Sequence, residues 1–226
     1  MSVLDALTLA GLLVALPALA FAQARALRGS RIPRLPAYAS SGATLLLLGG
    51  WCVGLGSWRR GPASVGLVPM GLHLLAGWAL VVTVAGLAVM LGFRILCGAL
   101  GVQEAATLRE LLPRTGGERL AFAGLAVIAG LCEEIVFRGY ALPVLAGVTG
   151  VVAAGVLTSV AFGALHAYQG VLGMVRTAAL GGILAWAFVA AGSVWPVVVA
   201  HTALDLLGGI VLGEKLMSPA HDGGVG

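Results

Sequence analysis

Apolar residues run along this chain in blocks too long for one face of a soluble helix. A spanning α-helix needs about 20 mostly apolar residues, and Val3–Ala22 is such a block, with Asp5 at its outer end. Arg25–Pro36 carries four arginines and the breakers Pro33 and Pro36, and reads as a loop. Ser41–Trp58, closed by Arg59 and Arg60, predicts a second span, and Gly71–Phe93, ended by Arg94, a third. Polar residues then crowd together: Glu104–Leu112 reads as a short interfacial helix and Pro113 to Gly117 as a turn. From Leu120 the fourth span runs into Glu133–Glu134. Gly150–Leu165 leads to His166 as the fifth span, Val171–Ala190 is the sixth, and Trp195–Leu212 the seventh, with Gly192-Ser193 as the break before it.

The pattern predicts an all-α fold, a polytopic transmembrane bundle of about seven spans with a polar site inside the C-terminal four-helix core. Residues 1–100 form the N-terminal transmembrane helices, 101–119 an interfacial amphipathic segment, 120–213 the core and 214–226 a polar tail. No internal repeat stands out. Composition agrees: 60% of the residues are hydrophobic and only 10% charged, against about 25% charged in soluble domains. The net charge of +4 is too small and scattered for a nucleic-acid surface, and the positive-inside rule accounts for it. Eight arginines (25, 28, 31, 34, 94, 109, 114, 119) fall in the first and third loops and three (59, 60, 138) in the second and fourth. With Lys215 after the last span, this places the N-terminus outside and the C-terminus inside. The first apolar block lacks a basic leader, which suits a retained anchor rather than a cleaved signal. Cys52, Cys97 and Cys132 have neither disulfide-framework nor zinc-finger spacing and read as buried small hydrophobes.

Charges inside spans need a reason, because an acidic residue at a helix centre costs roughly 2.5–3.5 kcal/mol on insertion scales. The second half of the chain carries Glu133, Glu134, Arg138, His166, Arg176, His201 and Asp205; the first three spans offer only Asp5 and His73. His73, alone in its helix, reads as a packing residue. Glu133 and Glu134 point about 100° apart on a helix, so they cannot share a role. Glu134 stands four residues before Arg138, the favourable order for an ion pair. Glu133 has no cation at i+3 or i+4, which leaves it to take up a proton as a general base must. Phe162 and His166 share a helix face, as do His201 and Asp205. That last carboxylate either orients the imidazole or ligates a metal beside it.

Taken in order, Glu133-Glu134-x-x-x-Arg138-Gly139, Phe162-x-x-x-His166 and His201-x-x-x-Asp205 resemble the motifs of the CAAX prenyl protease and bacteriocin-processing (CPBP, Abi) family of intramembrane proteases. Leu111-Leu112-Pro113-Arg114, Glu118-Arg119 and Ser193-Val194-Trp195-Pro196 look like it too, so the resemblance covers about residues 108–210. It implies a type II CAAX endopeptidase-like enzyme that cleaves a membrane-associated peptide or protein, prenylated or bacteriocin-like, in the bacterial inner membrane. Glu133 would activate the attacking water, assisted by His166. His201 and Asp205 would stabilise the oxyanion, and Arg138 would hold Glu134, with Phe162 supporting the site. The last motif commonly ends in Asn, whose NH₂ donates to an oxyanion; Asp205 would have to be protonated to do so, or else hold His201 as an imidazolium or bind a metal. No cofactor is required on this reading. Members are also named metalloproteases, and a zinc ion on His166, His201, Glu133 and Asp205 is the alternative.

Two rivals stand beside the enzyme. A transporter or proton relay would line a path across both halves of the chain, whereas these polar residues gather in one. A non-catalytic immunity protein would keep the fold without the chemistry. A cysteine protease using Cys132 is disfavoured, because Cys132 points about 100° from Glu133. Depth poses a puzzle. Glu133 lies roughly 20 Å along its helix from Arg119, and His201 roughly 9 Å into the last span from the opposite face. His166, at the far end of the fifth span, matches them only if residues 139–149 dip into the membrane.

Overall fold

The computed structural model describes residues 1–102 and 105–212; Gln103, Glu104, the polar tail from Glu214 and Lys215 lie outside the described residues. Among the described residues eight helices follow one another: α1 Val3–Ala26, α2 Arg34–Arg60, α3 Leu72–Ala99, α4 Ala106–Leu111, α5 Gly116–Thr149, α6 Val151–Leu165, α7 Gly170–Ala191 and α8 Trp195–Val211. Among the described residues there is no strand. The seven apolar blocks are all helices, but five of them, α1, α2, α3, α5 and α7 with its leading turn, are long and apolar enough to cross a membrane. The chain is a multi-pass membrane protein. Helix α6 spans only about 22 Å and α8 about 25 Å, short of the roughly 30 Å hydrocarbon core. The count of seven spans therefore becomes five full-length helices and two shorter ones.

Several boundaries move for local reasons. Helix α2 starts at Arg34, with Pro33 as its N-cap and Pro36 in the first turn, where a missing N–H costs nothing. Helix α3 continues past Arg94 to Ala99. Helix α5 starts at Gly116, not Leu120, because Thr115 and Glu118 form a reciprocal capping box. The short α4 is clamped beneath α2: Arg34 Nε donates to the Leu112 carbonyl at 2.8 Å and the Tyr38 hydroxyl to that of Leu111 at 2.5 Å. Cys52 and Cys132 are buried thiols, while Cys97 is half-buried. His73 is exposed at the start of α3, so it is not the packing residue its setting suggests.

The segment 139–149 is the largest departure from the sequence pattern. It is neither loop nor dip but the continuation of α5, which runs 34 residues. Between Ile135 and Ala141 the helix widens to π pitch, the Leu142 N–H bonding to the Phe137 carbonyl. Pro143 follows at once. A proline in a helix interior lacks its N–H and crowds the carbonyl four residues back; the π stretch takes up that mismatch and the helix continues. Gly150, at φ +83, then reverses the chain in a conformation that residues with a Cβ rarely adopt. Glu134 and His166 stand the same sixteen residues from Gly150, on its two sides. The return of α6 along α5 thereby brings His166 level with the acid pair, and the depth puzzle disappears.

Gly139 has a packing reason of its own. The turn Pro62–Val65 presses on it through its buried Val65, so that a Cβ there would run into the backbone carbonyl oxygen of Val65. The Val194 N–H donates to the Gly66 carbonyl at 2.9 Å and the Ser193 hydroxyl to that of Val68 at 2.7 Å, tying the same turn to the start of α8. Gly139→Ala is expected to lower stability by about 1–3 kcal/mol, read as a lower unfolding midpoint in detergent. Gly147→Ala, where a Cβ meets open space, is the control and should not fall.

The N-terminal helix is joined to α5 by a buried polar contact. Asp5 accepts from the Ser2 N–H and hydroxyl through one carboxylate oxygen, and from the Tyr140 hydroxyl at 2.9 Å through the other. Tyr140 is fully buried in the π stretch that follows the acid pair. Residues 1–100 are thus not mere filler around the core: α1 bonds directly to the helix that carries the motif.

Candidate active site

The three motifs meet on one imidazole. His201, buried on α8, donates from Nδ1 to Glu134 Oε1 at 2.7 Å. Its Nε2 lies 3.7 Å from Glu133 Oε2 and 3.6 Å from Asp205 Oδ2. Adjacent glutamates on a helix diverge, yet both reach His201, each at a different ring nitrogen. That bridge was not legible in the sequence, where only partners on the same helix can be read from spacing. His201 and Asp205 do share a helix face, but Asp205 lies beside Nε2, and the strong partner of the imidazole is Glu134.

Glu134 is held in turn. Arg138 Nη1 donates to the same Oε1 at 2.7 Å, the i, i+4 pair expected from the spacing, with side chains 0% and 1% exposed. The other edge of the guanidinium donates from Nη2 to the Gly181 carbonyl on α7 at 3.0 Å, and its carbon stands 4.6 Å above the Phe162 ring. The second oxygen, Glu134 Oε2, is buried with no hydrogen-bond partner.

His166 caps the end of α6. Its Nδ1 lies 2.8 Å from the Phe162 carbonyl, and a carbonyl only accepts, so Nδ1 carries the proton and the neutral ring leaves Nε2 as its free lone pair. The Phe162 ring lies against both imidazoles, with centroids 4.9 Å from His166 and 5.9 Å from His201. Its edge meets Phe137 at 5.2 Å. One aromatic thus walls the site and sets the spacing of its two histidines. Tyr168, two residues on, puts its ring 5.8 Å from that of His166. Nothing in the sequence pattern singled it out.

Among the described residues, no three His, Cys, Asp or Glu side chains converge to hold a metal ion. His201 Nδ1 is bonded to Glu134 and His166 Nδ1 lies against a backbone carbonyl, so Nε2 of each ring is the atom a metal would take.

Comparison with protein families finds a match over residues 115–207, to Type II CAAX prenyl endopeptidase Rce1-like. Comparisons with curated proteins and with solved structures gave no match. The matched stretch holds the acid pair with Arg138, Phe162 with His166, His201 with Asp205, and the whole of the geometry around His201, while Leu111–Arg114 lies before it. Its family indicates a protease of the CAAX type acting on a peptide or protein in the membrane. Residues 115–207, where buried carboxylates and imidazoles are joined across three apolar helices, are thus similar to the Rce1-like type II CAAX prenyl endopeptidase family.

Proposed function

We propose that the chain is an intramembrane endopeptidase that hydrolyses a peptide bond near the C-terminus of a membrane-anchored substrate, using water activated by Glu133 and no metal. The observation that carries the reading is the ordered line Arg138–Glu134–His201, with Glu133 and Asp205 facing the far nitrogen of that imidazole. Arg138 fixes Glu134, and Glu134 fixes the tautomer and orientation of His201, as a buried carboxylate does for a catalytic histidine. Glu133, with no cation at i+3 or i+4, is the base.

In the reaction, water held between Glu133 and the free Nε2 of His166 attacks the scissile carbonyl. The new C–O bond forms as Glu133 takes the water proton and the carbonyl π pair moves to oxygen. The C–N bond then breaks, and Glu133 returns the proton to the departing amine. Asp205 holds His201 as its counter-charge instead of donating to the oxyanion. The membrane is a cell membrane, and the arginine bias of the loops supports an outside N-terminus and an inside C-terminus.

The test is release of the C-terminal tripeptide from a farnesylated CAAX peptide by detergent-purified protein, followed by mass spectrometry. Cleavage is expected, and its rate should change less than about twofold after exhaustive dialysis against a chelator. A folded preparation that leaves the peptide whole would end the endopeptidase reading. Activity that disappears with the chelator and returns with zinc would replace the glutamate mechanism by a metal one.

A further inference from the structure

The turn Ala167–Gln169, between α6 and α7, carries a polar arrangement that the mechanism above does not use. Gln169 is oriented from below: Arg176 Nη2 donates to its amide oxygen at 3.1 Å and the Thr177 hydroxyl at 3.3 Å. With the oxygen fixed there, the amide nitrogen must point the other way, and it donates to the Tyr168 hydroxyl oxygen at 3.2 Å. Nitrogen of an amide does not accept, so the phenolic proton is directed elsewhere. Among the described residues nothing accepts it. The ring lies 5.8 Å from that of His166, tilted by 37°.

The site lacks a free donor of this kind. His201 Nε2 is shared between two carboxylates, His166 presents a lone pair, and Asp205 as a carboxylate has no proton to offer. An oxyanion forming beside these groups needs a donor aimed at it in advance. We propose that Tyr168 is a catalytic residue whose hydroxyl donates a hydrogen bond to the carbonyl oxygen of the scissile peptide as it becomes an oxyanion, aimed by Gln169. The phenol keeps its proton throughout; the bond shortens as charge builds on the oxygen and relaxes when the C–N bond breaks. This rests on the glutamate-protease reading.

The experiment measures kcat and KM of Tyr168→Phe, Asp205→Asn, the double variant and Glu133→Gln on the farnesylated CAAX peptide, with unfolding midpoints alongside. Tyr168→Phe should lower kcat on the order of 100-fold, with KM and midpoint unchanged. Asp205→Asn installs an amide donor, so in that background the cost of Tyr168→Phe should shrink to below about tenfold. An unchanged kcat, a change in KM alone, the same loss in both backgrounds or a midpoint that falls in step with activity would each overturn the assignment. Peptide cleavage that survives Glu133→Gln would overturn the underlying glutamate mechanism instead, so the two failures are distinguishable.

Discussion

Glu133→Gln is expected to reduce kcat for peptide cleavage by about a thousandfold or more while the bundle stays folded. Glutamine has the shape of glutamate and keeps a polar atom near His201 Nε2, 3.7 Å away in the wild type. It has no basicity. General-base assistance is worth about 10²–10⁴ in rate, and here the base also returns the proton to the leaving amine, so both halves of the reaction fail together. The unfolding midpoint should hold or rise, because removing a carboxylate beside Glu134 and Asp205 relieves like-charge repulsion. Kinetics of wild type and variant purified in the same detergent decide the matter. A Glu133→Gln enzyme within tenfold of the wild type removes Glu133 from the chemistry.

Arg138→Met should cost about 3–5 kcal/mol of stability, more than any other single change near the site. Deleting one member of a buried pair leaves the other as an uncompensated charge. Glu134 is the worst residue to leave so: it is completely buried, one oxygen already lacks a partner, and only His201 would still donate to the other. The Gly181 carbonyl would lose its donor, and Phe162 the guanidinium above it. Adding Glu134→Gln to Arg138→Met should recover at least about 1 kcal/mol, since the charge is then gone as well. Arg138→Lys should restore little, because an ammonium cannot fork between Glu134 and Gly181 while lying flat on an aromatic ring. SDS-induced unfolding of the purified variants measures this. A stable Arg138→Met protein would show that the pair is not what holds the acid helix to α7.

Helix geometry made part of this arrangement legible beforehand. The apolar blocks, the i, i+4 pair Glu134–Arg138, and the shared faces of Phe162 with His166 and His201 with Asp205 all follow from rise and pitch within one helix. The order acid pair, histidine, histidine–acid was also there to read, and the family match covers the same stretch. The sequence also carries Thr115-x-x-Glu118, which starts α5 four residues before Leu120, and the apolar run after Arg138. That run is continuous in the fold, because a π stretch absorbs Pro143.

By itself, then, the chain determined that it is a bundle of membrane helices and which polar side chains share a helix face, since hydrophobic run length and helical pitch are local properties. Only the tertiary structure decided that Glu134 bonds His201, that Asp5 of the first helix bonds Tyr140, and that His166 stands level with the acid pair. Those facts depend on how far α5 runs before Gly150 turns it and on which faces then pack. In a medium where a polar group cannot turn to water, that packing must satisfy charges across helices that no spacing connects.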